Sequence, residues 1–296
     1  MLSVFQTPFH ESGEIDFKTL RKELDWIFEN GADGLVMAMV SEVLRLSSEE
    51  RDQLATAACT AARDNGGPCV ISVGAESTLQ AVRHAVHAEK TGANALMAIP
   101  PVATACGEPE LRKYFVAILK ATNLPLIVQD ASGYVGRPMS IEFQGGLMNE
   151  FGVDRVFFKP EAAPLGQRLS DLRDATKGEA KIFEGSGGIA LVDSHKRGVT
   201  GTMPGADLIR GLVPLWKALE AGDQEAADRI HAPLGALVSL QSGLDGFLAV
   251  EKYLLKRQGV FENEIVRGPV GFTLDEETRS EVDRLFDLMI EAAESQ

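Results

Sequence analysis

Apolar residues fall into two alternating patterns along most of the chain. The first is a short unbroken apolar run; the second is a longer stretch with apolar positions three or four apart. Residues 17–30 carry Leu20, Leu24, Trp26, Ile27 and Phe28 at helical spacing and stop at Gly31-Ala32. The run at 34–40 follows, short enough to be a strand and apolar on both sides, as a strand buried on two faces must be. Ser47 with Glu50 three positions on forms a capping box, and the helix it opens is predicted to reach Asp64, where Asn65-Gly66-Gly67-Pro68 ends it. The cycle then repeats. Strands are predicted at 70–74, 95–99, 126–130, 156–159, 181–185 and 199–203, with helices at 77–91, 109–122, 141–151, 166–176 and 188–197 between and after them.

With a first strand at 2–6, about eight strands alternate with helices, which calls for a parallel sheet clothed in helices. The expected fold is α/β, a (β/α)8 TIM barrel over residues 1–207. No Gly-x-Gly-x-x-Gly follows the first strand, which argues against an open dinucleotide-binding sheet. Beyond Leu208 the strands cease, and helical stretches are expected at 208–221, 223–257 and 275–294. Residues 208–296 thus form a C-terminal helical extension packed on the barrel.

Of the 296 residues 45% are hydrophobic, which supplies a large core and excludes a disordered chain. Net charge is −14, from 43 acidic and 29 basic residues, so nucleic acid and anionic membrane are poor partners. No apolar run approaches the roughly 18 to 20 residues of a membrane span, and Met1-Leu2-Ser3-Val4-Phe5 does not read as a signal peptide. Cys59, Cys69 and Cys106 are too scattered for a disulfide framework, and no histidine has metal-ligand spacing with another. A cytoplasmic protein without a metal site is expected.

In such a barrel, chemistry sits at the C-terminal ends of the strands. The strand ends offer Thr7, Val40-Ser41-Glu42, Gly74, Pro100-Pro101, Gln129-Asp130, Lys159, Glu184-Gly185-Ser186 and Thr202-Met203-Pro204. Lys159 stands out because it closes the apolar run Val156-Phe157-Phe158 and points into the barrel mouth. A desolvated lysine readily gives up its proton and becomes a nucleophile suited to forming an imine with a carbonyl substrate. The alternative is a lysine that reaches the rim or pairs with Glu161. Gly185-Ser186-Gly187-Gly188 before a helix could cradle an anion, or could simply make a tight turn.

Taken together, these segments resemble the dihydrodipicolinate synthase and N-acetylneuraminate lyase family, Schiff-base aldolases and dehydratases that act on 2-oxo acids. The resemblance is carried by Thr7-Pro8-Phe9, Gly34-Leu35-Val36, Ser41-Glu42, Val73-Gly74, Ile99-Pro100-Pro101, Phe158-Lys159-Pro160-Glu161-Ala162, Gly198-Val199-Thr200-Gly201 and Val266-Arg267-Gly268-Pro269, in that order. It implies that Lys159 is the imine-forming lysine, that the covalent imine stands in place of a cofactor, and that the chain is a homodimer or homotetramer. Trp216 and Phe247 are apolar groups available for subunit contact.

Several positions depart from the family pattern. Its Gly-Thr-Thr-Gly-Glu loop reads Ala38-Met39-Val40-Ser41-Glu42 here, so both threonine hydroxyls are gone. Gln129 replaces the tyrosine that ends the fifth strand, Val102-Ala103 replaces Tyr-Tyr, and Tyr134 stands where dihydrodipicolinate synthases place an arginine. Dihydrodipicolinate synthesis is therefore not expected. Val128-Gln129-Asp130 and Gly198–Pro204 are instead similar to the 2-keto-3-deoxy sugar-acid dehydratases. In that reading Lys159, Tyr134 and Glu184 are catalytic, while Thr7, Val40, Ser41, Gln129, Asp130, Ser186, Thr202 and Met203 contact the substrate. The rivals are a pyruvate-releasing aldolase of the same family, a non-catalytic 2-oxo-acid binder, and a pyridoxal phosphate enzyme that would need a phosphate site.

Overall fold

The computed structural model describes residues 1–133 and 135–295. Strands β1 (Leu2–Val4), β2 (Gly34–Met37), β3 (Cys69–Ser72), β4 (Ala95–Ala98), β5 (Leu126–Asp130) and β6 (Val156–Pro160) form one parallel sheet in chain order. Helices α1 (Phe17–Glu29), α2 (Ser48–Asp64), α3 (Thr78–Thr91), α4 (Glu108–Ala121) and α5 (Ile141–Phe151) make the crossovers between them. After α6 (Leu165–Ala175), the two-residue strands β7 (Phe183–Glu184) and β8 (Gly201–Thr202), separated by α7 (Leu191–Lys196), pair with each other. Parallel bridges Phe158↔Ile182 and Val4↔Gly205 carry the pairing from β6 to the segment entering β7, and from the segment leaving β8 back to β1. The amide of Phe158 donates to Lys181 O at 2.9 Å and that of Val4 to Pro204 O at 2.7 Å across these joins.

Side-chain alternation divides the strand residues between two cores. Val36, Val70, Met97, Ile127 and Met203 pack together on one side of the sheet. Leu35, Ile71, Leu96, Val128 and Phe158 face the helices instead. Lys159 is two residues beyond Phe157, which packs with the first set, and Gln129 two beyond Ile127. Both side chains are therefore carried inward by the pleat.

The capping box forms as the sequence predicts: Ser47 Oγ accepts from Glu50 N at 3.2 Å, and Ser47 N donates to Glu50 Oε2 at 2.8 Å. Three expectations are corrected. The strand predicted at 34–40 stops at Met37, because Ser41 Oγ accepts from Ala38 N at 3.1 Å and donates to Phe5 O at 2.5 Å, folding Met39–Ser41 into a helical turn. The last two strands are shorter than the predicted 181–185 and 199–203. The stretch predicted at 223–257 is two helices, α9 (Gln224–Val238) and α10 (Gly243–Arg257), bent 118° apart around buried Gln241. With α8 (Ile209–Ala221) and α11 (Glu276–Glu294) they complete the C-terminal region. Among the described residues no single helix is long and apolar enough to cross a membrane.

Helix α10 is fastened to the sheet by a buried cation. Lys252 donates to Thr7 O at 2.8 Å, to Ile265 O at 2.6 Å and to the Glu42 carboxylate. Burial holds the Lys252 ammonium below its ordinary value, against the opposing pull of Glu42. Glu42 adopts the left-handed region at φ 57° and also accepts from Arg267 N at 3.0 Å. Removing one partner of such a pair leaves the other charge buried, at a cost of about 3–5 kcal/mol. Lys252→Met is accordingly expected to lower the urea midpoint by a corresponding amount, and Lys252→Met with Glu42→Gln to recover part of the loss in the same denaturation assay.

Candidate active site

The register Gln129↔Lys159 brings the ends of β5 and β6 side by side, and Pro160 spaces Lys159 and Glu161 so that they share a face. Lys159 Nζ donates to Glu161 Oε1 at 3.0 Å, and Gln129 Nε2 donates to Glu161 Oε2 at 2.5 Å. The Lys159 and Glu161 side chains are only 4% and 5% exposed. Burial raises the Glu161 carboxyl above its ordinary value; Lys159 and Gln129 oppose that shift, and Glu184 adds to it. Lys159 therefore has the carboxylate partner that sequence analysis set against a nucleophilic role. With its affinity for a proton raised by burial, Glu161 is the group placed to accept one from Lys159.

Glycine makes the room for this pair. A Cβ on Gly185 would lie 2.6 Å from Lys159 Cε and 2.7 Å from Glu161 Oε1. Gly187 and Gly188 have φ of 70° and 100°, left-handed values that other residues rarely adopt. In the same loop, Ser186 N donates to Glu184 Oε1 at 2.6 Å and Ser186 Oγ accepts from Ala190 N at 3.0 Å. Close packing and turn geometry account for this glycine run without an anion.

A narrow cavity of about 40 Å³ opens beside Lys159, where Gln129, Glu161 and Glu251 provide polar atoms and Met39, Val40, Met203, Leu244 and Phe247 form apolar walls. Of the residues expected from the sequence to be catalytic or to contact the substrate, Lys159, Val40, Gln129 and Met203 line it. The others stand behind the lining with their polar atoms engaged. Thr7 Oγ1 donates to Ser41 O at 2.6 Å, and Ser41 Oγ is held by Phe5 and Ala38. Asp130 accepts from Ser132 Oγ at 2.6 Å, Met139 N at 3.0 Å and Arg168 at 3.3 Å, tying down the segment after β5. Glu184 takes the Thr202 hydroxyl at 2.7 Å as well as Ser186 N, rather than pairing with a cation. Tyr134 lies outside the described residues. Phe247 turns inward to the cavity, and Trp216 packs on the core, edge-on to His195, so both are used within the chain.

The dihydrodipicolinate synthetase family profile matches residues 1–288. The chain belongs to that family. Members of the family are lyases that work through a lysine Schiff base with pyruvate-type substrates and are typically homo-oligomers, and this chain is an enzyme of that class. Among its relatives, an L-2-keto-3-deoxyarabonate dehydratase of Azospirillum brasilense is 27% identical over 290 residues, covering 94% of this chain and 90% of that one. A 4-hydroxy-tetrahydrodipicolinate synthase of Mesorhizobium japonicum is also 27% identical, over 288 residues and 95% of each chain. The crystal structure of dihydrodipicolinate synthase from Rhodopseudomonas palustris superposes with a TM-score of 0.87 at 25% identity, over 97% of this chain and 96% of that one. The family's TIM-barrel fold is thus shared along nearly the whole chain.

Sequence reasoning treated Glu161 only as a structural partner and missed Glu251 altogether. A signal for Glu251 exists: it falls between Leu248 and Leu255 on the apolar stripe of α10, where a solvent-facing glutamate would not be. The tight approach at Gly185 yields a direct test. Gly185→Ala is expected to displace the lysine and cut the rate of borohydride trapping of pyruvate by about 10²-fold, the usual cost of misplacing a reacting group by roughly 1 Å. The measurement is adduct formation followed by mass spectrometry.

Proposed function

We propose that this protein is a Schiff-base dehydratase of a 2-keto-3-deoxy sugar acid. The observation that carries the reading is the Lys159–Glu161 hydrogen bond of 3.0 Å between two buried side chains in the cavity. Glu161 takes the proton of Lys159, and the amine so freed attacks the 2-oxo carbon. The protonated acid then returns its proton to the departing carbinolamine hydroxyl, leaving the protonated imine. That imine draws electrons from C3, and Glu161, again a carboxylate, removes the C3 proton. Gln129 holds Glu161 in place through its other oxygen and has no proton of its own to exchange.

The preference for dehydration over dihydrodipicolinate synthesis rests on what the strand ends contain. The threonine pair and the fifth-strand tyrosine are replaced by Met39, Val40 and Gln129, and the neighbouring Ser41 hydroxyl is consumed by Phe5 and Ala38. The dehydratase and synthase relatives are equally similar to this chain, so the strand-end residues carry the preference. In this reading the turn Met39–Ser41, with Val40 at the cavity wall, receives the substrate carboxylate. Asp130, Ser186 and Thr202 brace the mouth from behind, Glu184 keeps the latter two in register, and Tyr134 is a candidate proton carrier. We read residues 1–207 as the barrel and 208–296 as a helical region packed on it, in a cytoplasmic homodimer or homotetramer.

Pyruvate with borohydride is expected to add a reduced pyruvyl group to the wild type and none to Lys159→Ala. Glu161→Gln, which can hold the lysine but not take its proton, is expected to slow trapping by about 10²- to 10⁴-fold. A panel of 2-keto-3-deoxy acids assayed for both water loss and pyruvate release is expected to give water loss. Pyruvate release without water loss would make the enzyme an aldolase, and trapping without any turnover would make it a binder.

A further inference from the structure

Behind the cavity lies a second set of buried groups that the steps above do not use. Glu23 on α1, Asp207 after β8 and Glu251 on α10 are each 2% exposed or less, and Gln6, after β1, sits among them. The backbone amide of Gln6 donates to Glu23 Oε1 at 2.8 Å, and its side-chain Nε2 donates to Glu251 Oε2 at 2.9 Å and Val4 O at 3.3 Å. Gln6 Oε1, Glu23 Oε2 and Asp207 Oδ2 have no hydrogen-bond partner among the described residues. Lys252 is the nearby cation, but its donors are directed to Glu42, Thr7 O and Ile265 O. Three carboxyls that share no hydrogen-bonded cation cannot all be ionised in such a place. Among the described residues no cluster is arranged to hold a metal ion.

Of the three, Glu251 reaches the cavity that contains Lys159. Gly205 lines the same cavity and keeps the approach open: a Cβ there would lie 2.5 Å from Glu251 Oε1 and 2.8 Å from Asp207 Oδ1. We propose that Glu251 is the catalytic acid that protonates the leaving C4 hydroxyl, with Gln6, Glu23 and Asp207 as the residues that position it. This assignment rests on the dehydratase reading.

Glu161 takes the C3 proton, and the C3–H electron pair becomes the C2=C3 bond of the enamine. The nitrogen lone pair then re-forms C2=N, the C2=C3 pair shifts to make C3=C4, and the C4–O bond breaks with its electrons on oxygen. That oxygen takes the Glu251 proton and leaves as water. Hydrolysis of the unsaturated imine frees the 2-oxo-3-ene acid and Lys159. The proton gained at Glu161 equals the one lost at Glu251, so exchange with solvent restores the resting enzyme.

The surroundings keep Glu251 in its acid form. Burial, the repulsion of Asp207 and that of Glu23 raise it well above the ordinary carboxyl value, against the hydrogen bond from Gln6 and the attraction of Lys252. Burial likewise pushes Glu23 well up, and Asp207 to about 7. Losing the Asp207 charge would ease the ionisation of Glu251, so the alkaline limb of turnover would move to lower pH.

The test is Glu251→Gln, which keeps an acceptor for Gln6 and has no acid proton. It is expected to retain the pyruvyl adduct on Lys159 under borohydride and to lose about 10²- to 10⁴-fold in dehydration of the acid that the wild type turns over. Asp207→Asn is expected to shift the alkaline limb of kcat acidwards, a readout that holds even if Glu251→Gln does not fold. Wild-type turnover by Glu251→Gln, or an unmoved limb in Asp207→Asn, overturns the assignment and leaves the dehydratase reading standing. A wild type that forms the adduct but dehydrates no member of the panel overturns that reading and this assignment with it.

Discussion

Burying a charged group at the mouth of a barrel is costly unless an opposite charge or a proton is at hand, and the layout of this protein follows from that constraint. Two lysines are buried at this end of the sheet, each with its carboxylate: Lys159 with Glu161, and Lys252 with Glu42. The chemical consequences differ because the surroundings differ. Lys252 directs its donors to the carbonyl oxygens of Thr7 and Ile265 as well as to Glu42, so its work is structural. Lys159 donates to Glu161, whose second oxygen is already taken by Gln129, and it faces a cavity.

The structural pair sets up the chemical one. By gripping the turn at Glu42 and the segment after β1 at Thr7, Lys252 anchors α10 against the strand ends. Its neighbour in sequence, Glu251, is thereby carried to the cavity wall next to Phe247 and Leu244 of the same helix. The helical region is thus part of the pocket rather than an accessory to it. Glycines at 185 and 205 serve both sides of this arrangement, since a side chain at either would collide with a carboxyl or with Lys159.

The substitutions at the strand ends also gain a physical meaning. A threonine-to-valine change at position 40 of the family loop removes a hydroxyl and leaves an apolar wall, and Ser41 spends its own hydroxyl on bending the chain out of β2. In the proposed reaction the proton carriers are then carboxyls, whose acidity burial can tune, rather than a relay of hydroxyls.

Much of this was legible in the chain. The alternation of apolar runs and amphipathic stretches predicts the parallel strands and the crossover helices; β5 and α5 fall at the expected residues, because strand burial and helix caps are local effects written in neighbouring side chains. Lys159 could be found because an ammonium ending an apolar strand is anomalous wherever it occurs. Tertiary structure alone decided the rest. The conversion of Met39–Ser41 to a turn depends on the hydrogen bond from Ser41 Oγ to the distant Phe5 O, and the break between α9 and α10 and the shortness of β7 and β8 likewise appear only in the folded chain. That Glu161 touches Lys159 is a matter of strand pleat and so nearly readable. That Glu251, some ninety residues further on, faces the same cavity is not: only the folding of α10 across the barrel mouth brings its carboxyl there, and periodicity along a helix tells which face is buried but not against what.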